Sequence, residues 1–334
     1  MKKCTFAIAA LAVVLFAGCN KEENTVTLQV GAEVAQDMSK EGWCSGLNQV
    51  LFTDGDYIMM SSSTGVHSYA LRPNTDRVST YDAEYTTSGA SYYATFDASR
   101  ECIGSPAYAY YPASVFNENG IVSLNATGNF FSIVENTTGS EVVTISEAQM
   151  WPMVSYQPEV NENTAFYLYN TVALISPAVK LGRNFIIAMN EEFSLGINIA
   201  NIYNDVNLTI DDIYLRADQP IRGLGYIDNA ETANQNSTVD CKVVLTDDTS
   251  LEGDYGMNPR VIQLSNGTTI DVLGNIAVPV MDNATFVMDV YFTLNNQQFV
   301  WHGNPTTLDL LRSQRTTFIA NLYDRFESGR VQAL

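Results

Sequence analysis

The stretch Ala284-Thr285-Phe286-Val287-Met288-Asp289-Val290-Tyr291-Phe292-Thr293-Leu294 decides the fold class. Phe286, Met288, Val290, Phe292 and Leu294 fall on one face of an extended chain, and Val287, Asp289, Tyr291 and Thr293 on the other. A half-buried strand requires this period of two, because successive side chains leave opposite sides of the pleat. Asn295-Asn296 then supplies residues that tolerate a left-handed turn, and Phe299-Val300-Trp301 returns. The whole segment predicts a β-hairpin.

The same period recurs outward from there. Val26, Leu28 and Val30 share one face of a first strand, with Thr27 and Gln29 on the other. Val206, Leu208 and Ile210 are in phase, Asp211-Asp212 breaks the phase, and Ile213 and Leu215 resume it. A one-residue slip of this kind predicts a β-bulge or two short strands. Helical patterning is scarce: Thr306 to Gln314 and Ser146 to Met150 have room for one or two turns each. Charged residues make up only 16% of the chain, against about 25% in an average soluble domain. The polar surface is therefore built from Asn, Thr, Ser, Gln and Tyr, a palette suited to strands and turns. These features predict an all-β chain of antiparallel sandwiches. At roughly 100–200 residues per domain, 334 residues predict two domains. The polar, turn-rich Gln157-Pro158-Glu159-Val160-Asn161-Glu162-Asn163 marks the boundary, giving an N-terminal domain over 25–160 and a C-terminal one over 161–334.

The balance of 17 basic to 37 acidic residues, a net charge of −20, argues against nucleic acid, which needs clustered Lys and Arg. His67 and His302 are the only histidines, and neither sits in a metal-binding or catalytic spacing. No nucleophile elbow, P-loop or dinucleotide fingerprint occurs, so the chain reads as a non-enzyme with no cofactor and no metal. Asp54-Gly55-Asp56 and Asp247-Asp248 carry oxygen ligands that suit calcium, but turns use the same residues for backbone reasons. The tyrosines Tyr92-Tyr93 and Tyr108-Ala109-Tyr110-Tyr111 fit strand packing first, and a sugar- or protein-binding face second.

The N-terminus reads as an address. Lys2 and Lys3 precede an apolar run from Phe6 to Gly18, too short for the ~20 residues of a membrane span, so 1–18 is a secretory signal. Leu15-Phe16-Ala17-Gly18-Cys19 resembles a bacterial lipobox, which makes Cys19 the lipidated first residue of the mature chain and 19–24 its tether. Lys21-Glu22-Glu23 behind it resembles the surface-export signal of Bacteroidetes lipoproteins. Cys44, Cys102 and Cys241 remain: an odd number without CxxC spacing, read as buried thiols, with at most one disulfide within the chain.

Several stretches, in this order, resemble the fimbrillin family of Bacteroidales type V pilus subunits. They are Asn48-Gln49-Val50-Leu51-Phe52-Thr53-Asp54-Gly55-Asp56-Tyr57-Ile58, Ala107-Tyr108-Ala109-Tyr110-Tyr111-Pro112, Ala165-Phe166-Tyr167-Leu168-Tyr169-Asn170 and Val206-Asn207-Leu208-Thr209-Ile210-Asp211-Asp212-Ile213-Tyr214-Leu215. The resemblance implies two tandem transthyretin-like antiparallel β-sandwiches, and an outer-membrane lipoprotein exposed at the surface or in a fimbrium. It also implies assembly by donor-strand exchange, triggered by proteolysis behind the first strand. On that reading Lys40 is the candidate cleavage site, where the family more often has Arg. Val26, Leu28 and Val30 mark the strand that is displaced. Phe318, Ala320 and Leu322 mark a candidate donor strand, with Glu327 to Leu334 as a further donor extension or a free tail. The implied partners are other pilin subunits in a homo- or hetero-polymer, host or bacterial surface ligands, and the outer membrane through the lipid. The alternative is a lipid-anchored surface protein that binds glycan or host protein without polymerising.

Overall fold

A computed structural model describes residues 24–33, 36–37, 52, 54–74, 93–117, 122–124, 130–131, 133–135, 141–143, 152–202, 206–234, 239–245, 261–268, 273–274, 276–322, 326 and 329–334. The fold is all-β, with one α-helix, Arg183–Phe193, among the described residues. Cys19, Lys40, Cys44, Tyr92, Asp247-Asp248 and the Ser146 to Met150 turn lie outside them.

The first core is wrapped by one eight-stranded sheet. Its order is Gly65–Ala70, Tyr57–Ser62, Ala107–Tyr111, Met153–Gln157, Ala165–Asn170, Thr25–Ala32, Tyr93–Ser99 and Arg72–Pro73. The first and last of these are one continuous piece of chain. Gly65–Ala70 pairs with Tyr57–Ser62, then Leu71 turns inward at 2% exposure, and Arg72–Pro73 pairs with Tyr93–Ser99. The sheet thereby closes on itself around Leu28, Phe52, Ile58, Phe96, Tyr111 and Phe166, and closure removes most of the exposed edge that an open sheet would present.

The second core lies between two sheets. One runs Val261–Thr268, Leu208–Ala217, Met281–Leu294, Gln297–His302, Val331–Ala333, with Thr306–Leu310 on the near half of the long strand. The other runs Gln36–Asp37, Gln314–Leu322, Ala173–Leu181, Ile276–Val278. Phe286 from the first meets Phe318 from the second at 5.0 Å between ring centroids. The helix covers one end: Phe185 packs on Phe292 at 6.1 Å and Phe193 on Phe299 at 4.9 Å.

The decisive hairpin forms as its alternation requires. Phe286, Val290, Phe292 and Leu294 are buried, and Asn295 and Asn296 take left-handed φ of 49° and 66°. The slip at Asp211-Asp212 is a bulge, since the register shifts between Ile210 and Asp212 on both flanking strands. Cys102 and Cys241 are buried free thiols.

Three local expectations differ. Thr306 to Gln314 holds no helical turn: Thr306–Leu310 is a strand paired with Met281–Leu294, and its β-branched Thr306-Thr307 favours that state. The sandwich sheets are mixed, because Thr25–Ala32 runs parallel to Ala165–Asn170, and Ala173–Leu181 parallel to Gln314–Leu322. Each of these pairs joins segments more than a hundred residues apart, so neither is constrained to the antiparallel sense of a hairpin. The polar Gln157–Asn163 segment falls inside the first sheet, linking the adjacent strands Met153–Gln157 and Ala165–Asn170, and the first core continues to Leu174.

Candidate functional site: the first strand and its seat

The first strand, Thr25–Ala32, is an interior strand. It pairs antiparallel with Tyr93–Ser99, from Thr25 opposite Ser99 to Gly31 opposite Tyr93. On its other side it pairs parallel with Ala165–Asn170, from Gln29 opposite Ala165 to Ala32 opposite Leu168. Val26, Leu28, Val30 and Ala32 point into the core at 5%, 0%, 1% and 3% exposure. The alternation that the sequence shows is therefore also the burial pattern. An aliphatic side chain buried this fully contributes roughly 1.5–3 kcal/mol.

The outward face of the strand is polar at one end and covered by an aromatic ring at the other. The Thr27 hydroxyl donates to Asp97 Oδ1 at 2.7 Å, and Arg72 grips the same carboxylate with two bonds of 2.5 and 2.6 Å. The guanidinium bonds hold the Asp97 carboxyl below its ordinary range, with Thr27 adding to them. Gly31 lies beneath the Tyr93 ring, where a Cβ would sit 3.3 Å from Cδ1 and Cε1, and 3.7 Å from Tyr167. Any larger residue requires that ring to shift by a few tenths of an ångström.

The strand ends at a junction with the second core. Glu33 N–H donates to the Leu168 carbonyl at 2.8 Å, and the Glu33 carboxylate accepts from Asn170 N–H at 3.1 Å and from Arg312 Nη1 at 2.8 Å. Arg312 Nη1 also donates to the Asn170 carbonyl at 3.1 Å. Asn170 Nδ2 donates to Ser313 Oγ at 3.0 Å, and Ser313 N–H to the Val172 carbonyl at 3.0 Å. Beyond Glu33, Gln36–Asp37 pairs parallel with Gln314–Arg315 as an edge strand of the second core.

Phe318, Ala320 and Leu322 lie on Gln314–Leu322 at 9%, 0% and 1% exposure, between Gln36–Asp37 and Ala173–Leu181. The last strand, Val331–Ala333, pairs with Phe299–Trp301 at a sheet edge. Val331 is buried there, while Leu334 is 66% exposed.

The tyrosines mostly pack. Tyr111 is fully buried, meets Phe52 edge-on at 5.2 Å, and donates to Asp56 at 3.1 Å. Asp54-Gly55 forms a turn with Gly55 at φ 98°, and the Asp56 carboxylate just after it accepts from Tyr111. Tyr108 packs on Tyr156 with the rings tilted and their centroids 4.7 Å apart, and burial pushes the Tyr110 hydroxyl up to about 12. Over this face lies an excursion of the second half: Tyr156 N–H donates to the Ala233 carbonyl, and Ala233 and Cys241 pack on Val154. His302 Nδ1 sits 2.9 Å from the buried Asp289, which also pairs with Arg216. His67 Nε2 lies on the Thr64 carbonyl in a turn. Among the described residues no three His, Cys, Asp or Glu side chains group as metal ligands.

Sequence reasoning missed the Glu33–Arg312 pair. The two are too far apart in the chain for local pattern to join them.

No family model matches the chain, and no curated protein matches it. Several solved structures do. A candidate cell adhesion protein from Bacteroides fragilis matches with TM-score 0.44 and 12% identity, over 92% of this chain and 96% of its own. One from Bacteroides ovatus matches with TM-score 0.40 and 10% identity, over 92% and 95%. The tip fimbrial protein Mfa3 from Porphyromonas gingivalis, with a C-terminal truncation, matches with TM-score 0.32 and 11% identity, over 93% and 98%.

Proposed function

We propose that this chain is a cell-surface adhesive or fimbrial subunit that assembles by donor-strand exchange. The observation that carries this reading is the seat of the first strand: a terminal segment holds an interior place, paired on both sides, with four apolar side chains in the core. Taking it out exposes two ladders of unpaired backbone groups and a row of apolar pockets. A strand from another subunit satisfies both. On this reading Cys19 carries the lipid that holds the precursor at the outer membrane, and cleavage after Lys40 releases the strand. The mature partner is another pilin subunit. We further propose two tandem transthyretin-like domains that meet at Val172 to Ile175, where successive buried residues alternate between the first core and the second.

The donor is better supplied by the C-terminal segment than by Phe318, Ala320 and Leu322. Giving up Gln314–Leu322 would empty the middle of the second core, whereas Val331–Ala333 frees one buried side chain from a sheet edge.

The test is intact mass and N-terminal mapping of protein shed from the cell surface. A start at Glu41 supports strand release and polymerisation. A lipidated start at Cys19 with Thr25–Ala32 retained overturns it for this subunit. The non-polymerising binding protein would then lead, resting on the Tyr93 ring held 43% exposed over Gly31.

A further inference from the structure

We propose that Arg312, with the Asn170 backbone N–H, forms a carboxylate socket that reads the end of whichever strand occupies the first-strand seat. In this chain the occupant is Glu33; in an assembled subunit it is an acidic residue placed just after the apolar row of the incoming strand. The second half of the proposal rests on the strand-exchange reading above, and the first half does not.

The argument starts from the ladder. The first strand runs parallel to Ala165–Asn170, with Ala32 opposite Leu168 and Glu33 N–H on the Leu168 carbonyl. One further rung of a parallel ladder would bring the Asn170 N–H to the Glu33 carbonyl. It goes to the Glu33 side chain, at Oε2, where Arg312 Nη1 also donates. A single carboxylate oxygen thus ends the strand pairing in the first core and ties it to the Arg312-Ser313 turn of the second. The site is half shielded, with both charged side chains at 21% exposure, so the pair is less screened than a surface one.

The surroundings favour a carboxylate over a neutral group. Arg312 Nη1 already spends a bond on the Asn170 carbonyl, which orients the guanidinium toward the place an anion must occupy. If residues up to Lys40 leave, Glu33 leaves with them. The Asn170 N–H and the guanidinium then lose their shared acceptor together. An incoming strand with apolar side chains alone refills the core pockets but not this socket. One that carries Asp or Glu at the position of Glu33 refills both.

The first measurement uses the intact chain. Hydrogen exchange of the Gln29 to Ala32 amides reads the local opening of the strand. Glu33→Gln and Arg312→Gln are each expected to speed it by roughly three- to tenfold, and the double variant by no more than either alone. No change, or additive changes, would overturn the socket. The second measurement uses the full chain with a specific protease site directly after Lys40, cut and then challenged with labelled peptides of the Thr25–Glu33 sequence ending in Glu or in Gln. The Glu peptide is expected to win by a similar factor in the parent, and by none in Arg312→Gln. Equal binding in the parent would overturn the reading of incoming strands. If neither peptide enters while the intact chain shows the coupling, strand exchange falls and the socket stands as a lock on the first strand.

Discussion

Leu28 stands opposite Phe96 in an antiparallel pair, and neither side chain has any exposure to solvent. That contact joins the first strand to the centre of the first core. Truncating Leu28 to Ala removes the transfer energy of its missing carbons and leaves a cavity between packed neighbours. The expected loss is about 3–4 kcal/mol, with little change in urea m-value. Gln29→Ala, one residue along on the outward face, is expected to stay within about 0.5 kcal/mol. Urea denaturation of both variants checks this; a Leu28→Ala loss below about 1 kcal/mol would mean the strand is not seated as described.

Gly31 sets a steric limit. Val at this position places atoms where the Tyr93 ring lies, and the expected cost is about 1–2 kcal/mol. In a Tyr93→Ala background the same substitution should cost close to nothing. A thermal-denaturation double-mutant cycle reads the difference, and additive effects would show that the ring is not what limits the site.

Asp97 gives the first strand a pH-dependent contact. Arg72 lowers its folded pKa below the unfolded one, so the contribution is present above the unfolded value near about 4 and is lost as pH falls through the folded value. Both side chains are substantially exposed, so the contribution is under about 1 kcal/mol. Asp97→Asn should therefore be less stable than the parent at pH 7, by a gap that narrows toward pH 2. Urea midpoints at the two pH values decide the matter; a gap that persists unchanged at pH 2 rules out this origin.

Cys241 should behave as a buried hydrophobe. Burial pushes its thiol up to about 12, above the ordinary value of 9.0. A raised folded pKa stabilises the fold fully below about 9, and that contribution disappears as pH climbs toward 12. Alkylation by iodoacetamide at pH 8, mapped by mass spectrometry, should leave Cys241 and Cys102 unmodified in the native chain and label both in urea. Rapid native labelling of Cys241 would contradict its place between Val154 and Ala233.

Much of this was legible residue by residue. Period-two alternation identified Thr25–Ala32 and Met281–Leu294 with the correct inward faces, because a strand's two faces are a local property of the chain. Asn295-Asn296 announced its turn for the same reason: the left-handed tolerance belongs to the residues themselves. The bulge at Asp211-Asp212 was visible as a break in phase. The helix Arg183–Phe193 was missed although Phe185, Met189 and Phe193 recur at helical spacing, since one short apolar stripe within a strand-rich chain is easily taken for more strand.

What the sequence by itself determined is the all-β class, the inward set of each strong strand, and an acidic, histidine-poor composition. Only the tertiary structure decided which strands are neighbours. It placed Thr25–Ala32 between Ala165–Asn170 and Tyr93–Ser99, ran two pairs parallel, closed the first sheet through Leu71, and brought Glu33 to Arg312. Alternation specifies a face but not a partner. Pairing between distant segments is selected by the summed fit of two cores, and no window of neighbouring residues contains that sum.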